Sequence, residues 1–124
     1  MSVLHALSPR AVAILGASDN PIKAGGRPID YMRRHGYAGR IFPINPNRSE
    51  VQGLPAYASL RALPEAPDAV VISLPSEDVA AAIDDCVAVG AKAAGIYSSG
   101  FAELGDAGRA QQADLLARAR RGGL

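Results

Sequence analysis

Small and polar residues follow the first apolar run of this sequence and are suited to contact with phosphate. Gly16, Ala17 and Ser18 come directly after the run AVAIL, and Lys23 lies further along the same loop. Glycine permits a sharp turn and a close approach of a ligand to the backbone, while the hydroxyl donates a hydrogen bond and the lysine supplies positive charge. The spacing matches neither G-x-G-x-x-G nor G-x-x-x-x-G-K-[ST], which mark dinucleotide and P-loop sites. We expect a phosphate-contacting loop; the alternative is a turn whose glycines only relieve strain.

A second polar turn ends the next apolar run. Ile44, Asn45 and Pro46 close that run, and Arg48 follows two residues later. Dinucleotide-binding sheets carry an acidic residue here for the ribose hydroxyls, whereas this sequence has asparagine, which disfavours NAD. An arginine suits a phosphate, so the turn favours a ligand with a phosphorylated ribose. The alternative is an ordinary Asn-Pro turn with a solvated arginine.

Two further turns complete the set of candidate loops. Leu74 and Pro75 lie at the exit of the third apolar run, where the proline fixes the backbone beside the first loop. Ser98, Ser99 and Gly100 follow the fourth run and form a small bend suited to an anion. The alternatives are a plain helix start and serines that only cap backbone groups.

The residues with the strongest intrinsic reactivity do not form a catalytic set. His5 lies in the N-terminal lead-in, His35 falls in a predicted last helical turn, and neither has the partners of a triad nearby. Cys86 is the single cysteine and lies on an apolar helix stripe, which favours a core residue over a nucleophile. No cluster has metal-ligand spacing. We therefore predict neither a catalytic residue nor a metal site in this sequence.

Alternating strands and helices must position these loops. The apolar runs predict four main strands, over residues 11–15, 40–44, 68–74 and 93–97. Strand–helix repetition indicates an α/β fold with a Rossmann-like, doubly wound parallel sheet in the order 2-1-3-4 and helices on both faces. The loops that follow the strands then meet at one edge of the sheet, where such folds bind ligands.

Helix signals lie between the strands. The sequence predicts a helix over about 27–35, a second one from an N-cap at Ser76 to Gly90, and a last one over about 106–121. The segment 48–67 is less regular. It predicts a brief edge strand over Val51–Ala56 and a short helical turn from Ser59 through Leu63.

Composition limits the classes of function. The chain has 124 residues, a net charge of +1 and 48% apolar residues, as in one globular domain with no general attraction for nucleic acid. It contains no membrane-spanning run and no signal peptide pattern, so we expect a cytoplasmic protein. Residues 122–124 resemble a helix cap and the first residue of another strand. We expect a single domain that is the N-terminal fragment of a longer multidomain protein, truncated before a fifth strand, with a sheet edge that allows homo-oligomers.

Three stretches together resemble a known family. They are AVAILGASDNPIKAGGRPIDYMRRHGYAGRIFPINPN, EVQGLPAYASLRALPEAPDAVVISLPSEDV and GIYSSGFAELGDAGR. As a set they closely resemble the CoA-binding domain of NDP-forming acyl-CoA synthetases, a family that includes ADP-forming acetyl-CoA synthetases and, more distantly, the succinyl-CoA synthetase α subunit. The resemblance extends from about Pro9 to Leu124 and implies a Rossmann-like domain that binds coenzyme A.

The resemblance also implies which residues contact CoA. Carried over to this sequence, they are Gly16, Ala17, Ser18, Lys23, Ile44, Asn45, Pro46, Arg48, Leu74, Pro75, Ser98, Ser99 and Gly100. In the full enzymes, acyl-CoA, ADP and phosphate interconvert with carboxylate, CoA and ATP through a phosphohistidine on the next domain and an ATP-grasp module. ATP, ADP and Mg²⁺ are thus implied only through those other domains, and this sequence alone is expected to be inactive.

Three other interpretations stay open. A NAD(P)-binding domain of an oxidoreductase or redox sensor shares the strand, glycine loop and helix, but it needs an acid where Asn45 stands. A CoA-binding regulatory domain fused to an acetyltransferase is compatible with the resemblance, since some relatives have that organisation. The third is a regulatory interaction domain that keeps the fold without a ligand.

Overall fold

Four parallel strands and the helices on their two faces make up the fold. The computed structural model describes residues 10–96. In chain order the elements are β1 (Ala11–Leu15), α1 (Arg27–Arg34), β2 (Arg40–Ile44), β3 (Glu50–Val51), β4 (Leu54–Pro55), a 3₁₀ helix (Leu60–Ala62), β5 (Ala69–Ile72), α2 (Ser76–Val89) and β6 (Ala93–Ile96). The main sheet has the order β2-β1-β5-β6, and all its neighbouring strands are parallel. The predicted fold class and strand order are confirmed.

Some predictions lie outside the described residues. They are the helix over 106–121, the bend at Ser98–Gly100, the end of the fourth strand at Tyr97, any fifth strand, and the position of His5. These stay predictions from the sequence.

β1 is the buried centre of the sheet. All five of its residues are buried, as the uninterrupted apolar run predicted. Because strand side chains alternate, Ala11, Ala13 and Leu15 pack on the side of α2, whereas Val12 and Ile14 pack on the side of α1. Each face of the sheet therefore has its own core, and the loop after Leu15 starts from a position fixed on both sides.

α1 begins where the sequence predicted and ends one residue earlier. Pro28 occupies the first turn, where its missing N–H costs no helical hydrogen bond. The last helical residue is Arg34, so the predicted His35 forms the C-terminal cap, and Gly36 follows with φ +70°. Ile29 is the buried residue of this helix. α1 is thus anchored to the sheet near its N-terminal end, next to the first loop.

α2 follows its predicted apolar stripe but begins differently. Val79, Ile83 and Cys86 are buried against the sheet, and Gly90 ends the helix with φ +80°. The predicted N-cap at Ser76 is wrong by one residue: Pro75 is the cap, and Ser76 is the first helical residue. The proline has a fixed φ of −56° and an extended ψ of 151°, which is the backbone conformation that a cap requires. Among the described residues, no helix is long and apolar enough to cross a membrane.

β5 is shorter than the predicted strand over 68–74. It spans Ala69–Ile72. Ser73 still donates its N–H to the Leu15 carbonyl at 3.0 Å, but the chain then leaves the sheet. The apolar run continues to Leu74 for a different reason, because this residue lines a cavity at the edge of the sheet.

A hairpin replaces the single edge strand predicted over Val51–Ala56. β3 and β4 pair antiparallel, and the two turn residues between them, Gln52 and Gly53, have φ values of +50° and +80°. Positive φ at both positions is the mark of a type I′ turn, which matches the twist of the strands. Val51 is fully buried on the α1 side of the sheet. The predicted helical turn is a 3₁₀ helix with Ser59 at its N-cap and Leu63 at its C-cap.

Candidate functional site

The carboxyl ends of β1, β2 and β5 meet around a cavity of about 410 Å³. Residues predicted for the site form one part of its lining: Gly16, Ala17, Ile44, Asn45, Pro46 and Leu74. They come from three loops that are distant in sequence and adjacent only because the strands are parallel. The cavity therefore lies at the edge where doubly wound sheets bind their ligands.

The other part of the lining was not predicted. It consists of Leu15, Asn47, Ala58, Ser59, Leu60 and Asp85. Leu60 is buried, and the Asp85 carboxylate accepts a hydrogen bond from Arg61 at 3.2 Å. This wall of the cavity combines an apolar surface with an ion pair at its margin.

Long-range contacts bring that second wall into place. The Asn45 N–H donates to the Tyr57 carbonyl at 2.9 Å, and the Tyr57 N–H donates to the Pro43 carbonyl at 2.9 Å. The Tyr57 ring also meets the Phe42 ring edge-on, with centroids 5.7 Å apart. The segment after the hairpin is thereby tied to the end of β2, and no local pattern in the sequence signals this pairing.

Gly16 lets the first loop leave β1 in close contact with the chain after β5. Its φ is +76°, and an added Cβ would lie 2.2 Å from the Ser73 carbonyl oxygen. No side chain fits in that space. Glycine is therefore required here by the packing of the protein itself, which is a reason independent of any ligand.

The first loop folds back on the start of α1. A Cβ on Gly25 would lie 1.9 Å from the Gly16 carbonyl oxygen, and one on Gly26 would lie 1.9 Å from the Asn20 carbonyl oxygen. The Ser18 N–H donates to the Gly25 carbonyl at 3.2 Å. The glycine pair thus allows the two ends of the loop to touch.

Several backbone donors of this loop are used within the protein. The Asn20 N–H donates to the Ser18 hydroxyl at 3.1 Å, and the Gly26 and Arg27 N–H groups both donate to the Lys23 carbonyl at 2.9 Å. The residue after Arg27 is proline and has no N–H. Two side chains are also suited to an anion at this helix end: the Ser18 hydroxyl, which keeps its own proton to donate, and the Lys23 ammonium. These two residues do not line the cavity.

Asn45 has both side-chain polar atoms engaged. Its Nδ2 donates to the Ala17 carbonyl at 3.0 Å, and its Oδ1 accepts from the Asn47 N–H at 2.8 Å. The side chain connects the second loop to the first and does not replace the carboxylate that accepts ribose hydroxyls in NAD sites. This arrangement weighs against the NAD(P) interpretation.

Arg48 forms an ion pair with Asp19 of the first loop. The two side chains are 54% and 43% exposed, so the guanidinium stays in contact with solvent. A guanidinium has five N–H donors, and the contact with Asp19 leaves others for a phosphate. The Asp19 carboxylate also accepts the Gln52 N–H at 2.7 Å. Neither Asp19 nor Gln52 was predicted for the site, because these contacts join segments about thirty residues apart.

The remaining predicted contacts divide into two groups. Pro75 is exposed at the start of α2 and does not line the cavity, although its neighbour Leu74 does. Ser98, Ser99 and Gly100 lie outside the described residues, so their contact stays a prediction.

The reactive side chains lie apart from the cavity lining. Cys86 is fully buried on the inner face of α2. Burial together with the Asp85 carboxylate raises the pKa of its thiol from 9.0 to about 12. A protonated thiol is a poor nucleophile, so Cys86 acts as a core residue, as predicted. His35 caps α1 with its ring 4.2 Å from the Tyr31 ring. Among the described residues, no group of three acidic, histidine or cysteine side chains is arranged to hold a metal ion.

Comparison with protein families favours CoA over NAD(P) as the ligand. The family described as CoA binding domain matches residues 10–124 of the chain. The chain belongs to the CoA-binding domain family. The description of this family supports coenzyme A as the ligand, as the resemblance of the sequence implied.

Individual relatives agree with this assignment. The chain is 33% identical over 116 residues to the ADP-forming acetate–CoA ligase II of Archaeoglobus fulgidus. It is 35% identical over 118 residues to the trans-feruloyl-CoA synthase of an unidentified prokaryote. These matches cover 94% and 95% of this CoA-binding domain, but the domain spans only 17% of each relative.

A solved structure shows the same fold. The dinucleotide-forming acetyl-coenzyme A synthetase 1 of Ca. Korarchaeum cryptofilum, in complex with phosphate and ADP, matches with a TM-score of 0.92 and 35% identity. The match covers 99% of this chain and 26% of that one. The predicted resemblance to the CoA-binding domain of ADP-forming acyl-CoA synthetases is confirmed.

Proposed function

We propose that the cavity and the loops around it hold the nucleotide end of CoA. The observation that carries this proposal is the cavity, which gathers Gly16, Asn45 and Leu74 from three loops at the edge where α/β sheets bind nucleotides. The apolar side chains of Leu15 and Leu60 suit the flat face of an adenine ring. The pantetheine arm would leave this end toward the bend at residues 98–100 and a reaction centre on another domain.

The phosphates of CoA would be met by side chains of the first two loops. The Ser18 hydroxyl and the Lys23 ammonium suit the pyrophosphate, because one donates a hydrogen bond and the other supplies positive charge. Arg48 suits the phosphate on the ribose, with Asp19 holding its guanidinium beside the first loop. In this arrangement the sheet sets the position of the loops and three polar side chains supply the charge and hydrogen bonds.

Calorimetric titration with CoA and with dephospho-CoA tests this assignment. The chain should bind CoA, and Arg48→Ala should weaken that binding by about 1.5–3 kcal/mol, the usual loss for a charge-assisted hydrogen bond. Binding of dephospho-CoA should change little, because it lacks the phosphate that Arg48 would meet. The matched control is Arg34→Ala, which removes another ion-paired, exposed arginine at the far end of α1.

Each arm of the titration can fail separately. If Arg48→Ala weakens both ligands equally, Arg48 does not contact the ribose phosphate. If the unmodified chain shows no binding of CoA at millimolar concentration, the proposed site is wrong. Binding of NADH that CoA does not compete away would support the NAD(P) interpretation instead.

We further propose that this domain serves an ADP-forming acyl-CoA synthetase as its CoA-binding part. The names of its curated relatives support an ADP-forming ligase. The longer protein would convert acyl-CoA, ADP and phosphate to carboxylate, CoA and ATP in the cytoplasm. Its phosphohistidine, ATP-grasp region and Mg²⁺ would belong to other domains, and His35, the histidine among residues 10–96, caps a helix. Similar identity to an acetate ligase and a feruloyl-CoA synthase supports the proposal that the acyl group is selected outside this domain.

The product of the full gene allows a direct assay. Incubation with an acyl-CoA, ADP and phosphate should yield ATP and free CoA, and omission of either ADP or phosphate should abolish both products. Acyl transfer to an amine without any need for ADP would instead identify the acetyltransferase fusion.

A further inference from the structure

The turn of the β3–β4 hairpin holds an unusual backbone conformation. Gln52 has φ +50° and is the one non-glycine residue with positive φ among residues 10–96. A side chain with a Cβ is unfavourable in this left-handed region, and the first position of a type I′ turn normally selects asparagine, aspartate or glycine. Glutamine at this position therefore lowers the local stability of the turn, so its longer side chain must be favoured for another reason.

The side-chain amide of Gln52 bridges the two ends of the first loop. Its Nε2 donates to the Ser18 carbonyl at 2.9 Å and to the Gly26 carbonyl at 3.0 Å. Both protons of the amide nitrogen are thus used. These two bonds join Ser18, near the start of the first loop, to Gly26, the N-cap of α1, and they fix the width of the loop between them.

The backbone of Gln52 makes two more contacts in the same region. Its N–H donates to the Asp19 carboxylate at 2.7 Å, and its carbonyl accepts a hydrogen bond from the Arg33 guanidinium. The same Asp19 carboxylate pairs with Arg48. Gln52 therefore connects to both candidate phosphate-binding parts, the first loop and the arginine of the second, although it does not line the cavity itself.

We propose that Gln52 is a positioning residue for CoA. Its amide sets the spacing of the first loop, so that the Ser18 hydroxyl and Lys23 face the pyrophosphate, and its N–H orients the Asp19 carboxylate toward Arg48. This inference rests on the proposed CoA site. It adds to that site a residue that acts through the loop and not by touching the ligand.

Two variants separate this role from a merely structural one. Gln52→Asn keeps an amide that is one methylene too short to reach both carbonyls, while asparagine adopts positive φ more readily than glutamine. It should lower resistance to urea only slightly, because the better turn residue offsets part of the two lost hydrogen bonds, and yet weaken CoA about tenfold, as expected when neutral hydrogen bonds that order a site are lost. Gln52→Met keeps the length of the side chain without its donors and should weaken CoA to the same extent.

Gly53→Asn is the matched control. It changes the neighbouring turn residue, which has φ +80° and open space around an added Cβ, so the hairpin should be kept and CoA binding should not change. Hydrogen–deuterium exchange of residues 16–26 is the second measurement. Exchange there should become faster in both Gln52 variants and stay the same in the control.

The outcomes distinguish the positioning role from the proposed function. If the unmodified chain binds CoA and both Gln52 variants bind it equally well, the positioning role is overturned and the CoA site stands. If stability and affinity fall together in every variant, including Gly53→Asn, Gln52 serves only the fold. If the unmodified chain does not bind CoA, the proposed function fails. In that case hydrogen–deuterium exchange still tests whether Gln52 orders the first loop, and unchanged exchange in both variants would show that it does not.

Discussion

Two regions of the molecule, a rim of loops and the core beneath α2, are held together by different kinds of contact. The rim consists of the first loop, residues 16–26, together with the hairpin turn at Gln52 and Gly53. The rim is held by close backbone approaches and by hydrogen bonds between polar side chains and the backbone, some exposed and some half-buried. The core beneath α2 consists of buried apolar side chains such as Ile72 and Ile83, and no buried polar or charged residue occurs in the described part of the chain.

This difference indicates that the two regions of the domain have different roles. Burial of apolar side chains supplies most of the stability, whereas the rim, in the function proposed above, would supply shape and charge for CoA. Gly16 lies where the two regions meet, since it opens the rim and also packs against the chain that leaves β5. Substitutions at the meeting point, in the core and at a titratable core group should therefore have different effects.

Gly16→Val should have the largest effect, because it should disturb both the rim and the packing of the fold and so should not separate their roles. The added side chain would overlap the Ser73 carbonyl oxygen, 2.2 Å from the Cβ position, and a β-branched residue would be forced to φ +76°. Overpacking and left-handed strain together should lower the free energy of unfolding by about 3–5 kcal/mol. Urea unfolding measures this loss.

Gly36→Ala is the control for the strain alone. Gly36 has a similar φ of +70°, but nothing lies within 4 Å of an added Cβ. Gly36→Ala should lower the free energy of unfolding by only about 1–2 kcal/mol, the penalty for a residue with a Cβ in the left-handed region. Equal losses in the two variants would mean that the close approach to Ser73 does not limit the fold. A reduced CoA affinity of Gly16→Val would not by itself identify a ligand contact.

Ile83→Ala should separate the core from the rim. Ile83 lies on the buried face of α2 and is 3% exposed, so its truncation should lower the free energy of unfolding by about 2–4 kcal/mol. CoA affinity should stay the same at a temperature where the variant is folded, since the residue contributes to packing and not to the rim. Calorimetric titration beside urea unfolding gives both quantities.

The control for this variant lies in the rim itself. Ile22 is 73% exposed, so Ile22→Ala should change stability by less than about 0.5 kcal/mol. A loss of CoA affinity in Ile83→Ala as large as its loss of stability would show that the rim and the core are coupled and that their roles are not separate.

The fold was predictable to the extent that its signals are local. β1 and β2 have the predicted bounds because β1 is a continuous apolar run and β2 is an apolar run preceded by Arg40, each bounded by turn residues. The apolar stripe of α2 and its glycine stop follow from helical periodicity. The errors occur where one residue type serves another purpose. Leu74 extends an apolar run but lines a cavity, and Pro75 takes the capping position expected of Ser76.

The candidate site was predictable only in its strand-end residues. Gly16, Asn45 and Leu74 meet because parallel strands expose their carboxyl ends at one edge, a rule that needs no contact map. Asp19, Gln52 and the wall from the 3₁₀ helix were missed, because their roles depend on contacts between distant segments. One partial signal was available: Gly53 suits the second position of a type I′ hairpin turn, although glutamine is not among the residues that usually precede it.

Ionisation of Cys86 should have the smallest effect on stability, and it measures how far water is excluded from the core beneath α2. Burial first, and then the nearby Asp85 carboxylate, raise the pKa of its thiol from 9.0 to about 12. Between these values the folded protein keeps a proton that the unfolded chain releases. The free energy of unfolding should therefore fall as pH rises above 9.0, by about 1.4 kcal/mol per pH unit, whereas below 9.0 the thiol contributes no pH dependence.

Urea unfolding of the unmodified chain and of Cys86→Ala, one pH unit below 9.0 and one unit above it, measures this contribution. Cys86→Ala should be less stable at both values because it leaves a small cavity, but it should lose less stability between them. The comparison removes the contribution of Tyr37, whose pKa is also raised by burial and which titrates in both proteins. Parallel losses would mean that the thiol ionises as easily in the folded protein as in the unfolded chain. Water would then reach the core beneath α2, and its contrast with the rim would not hold.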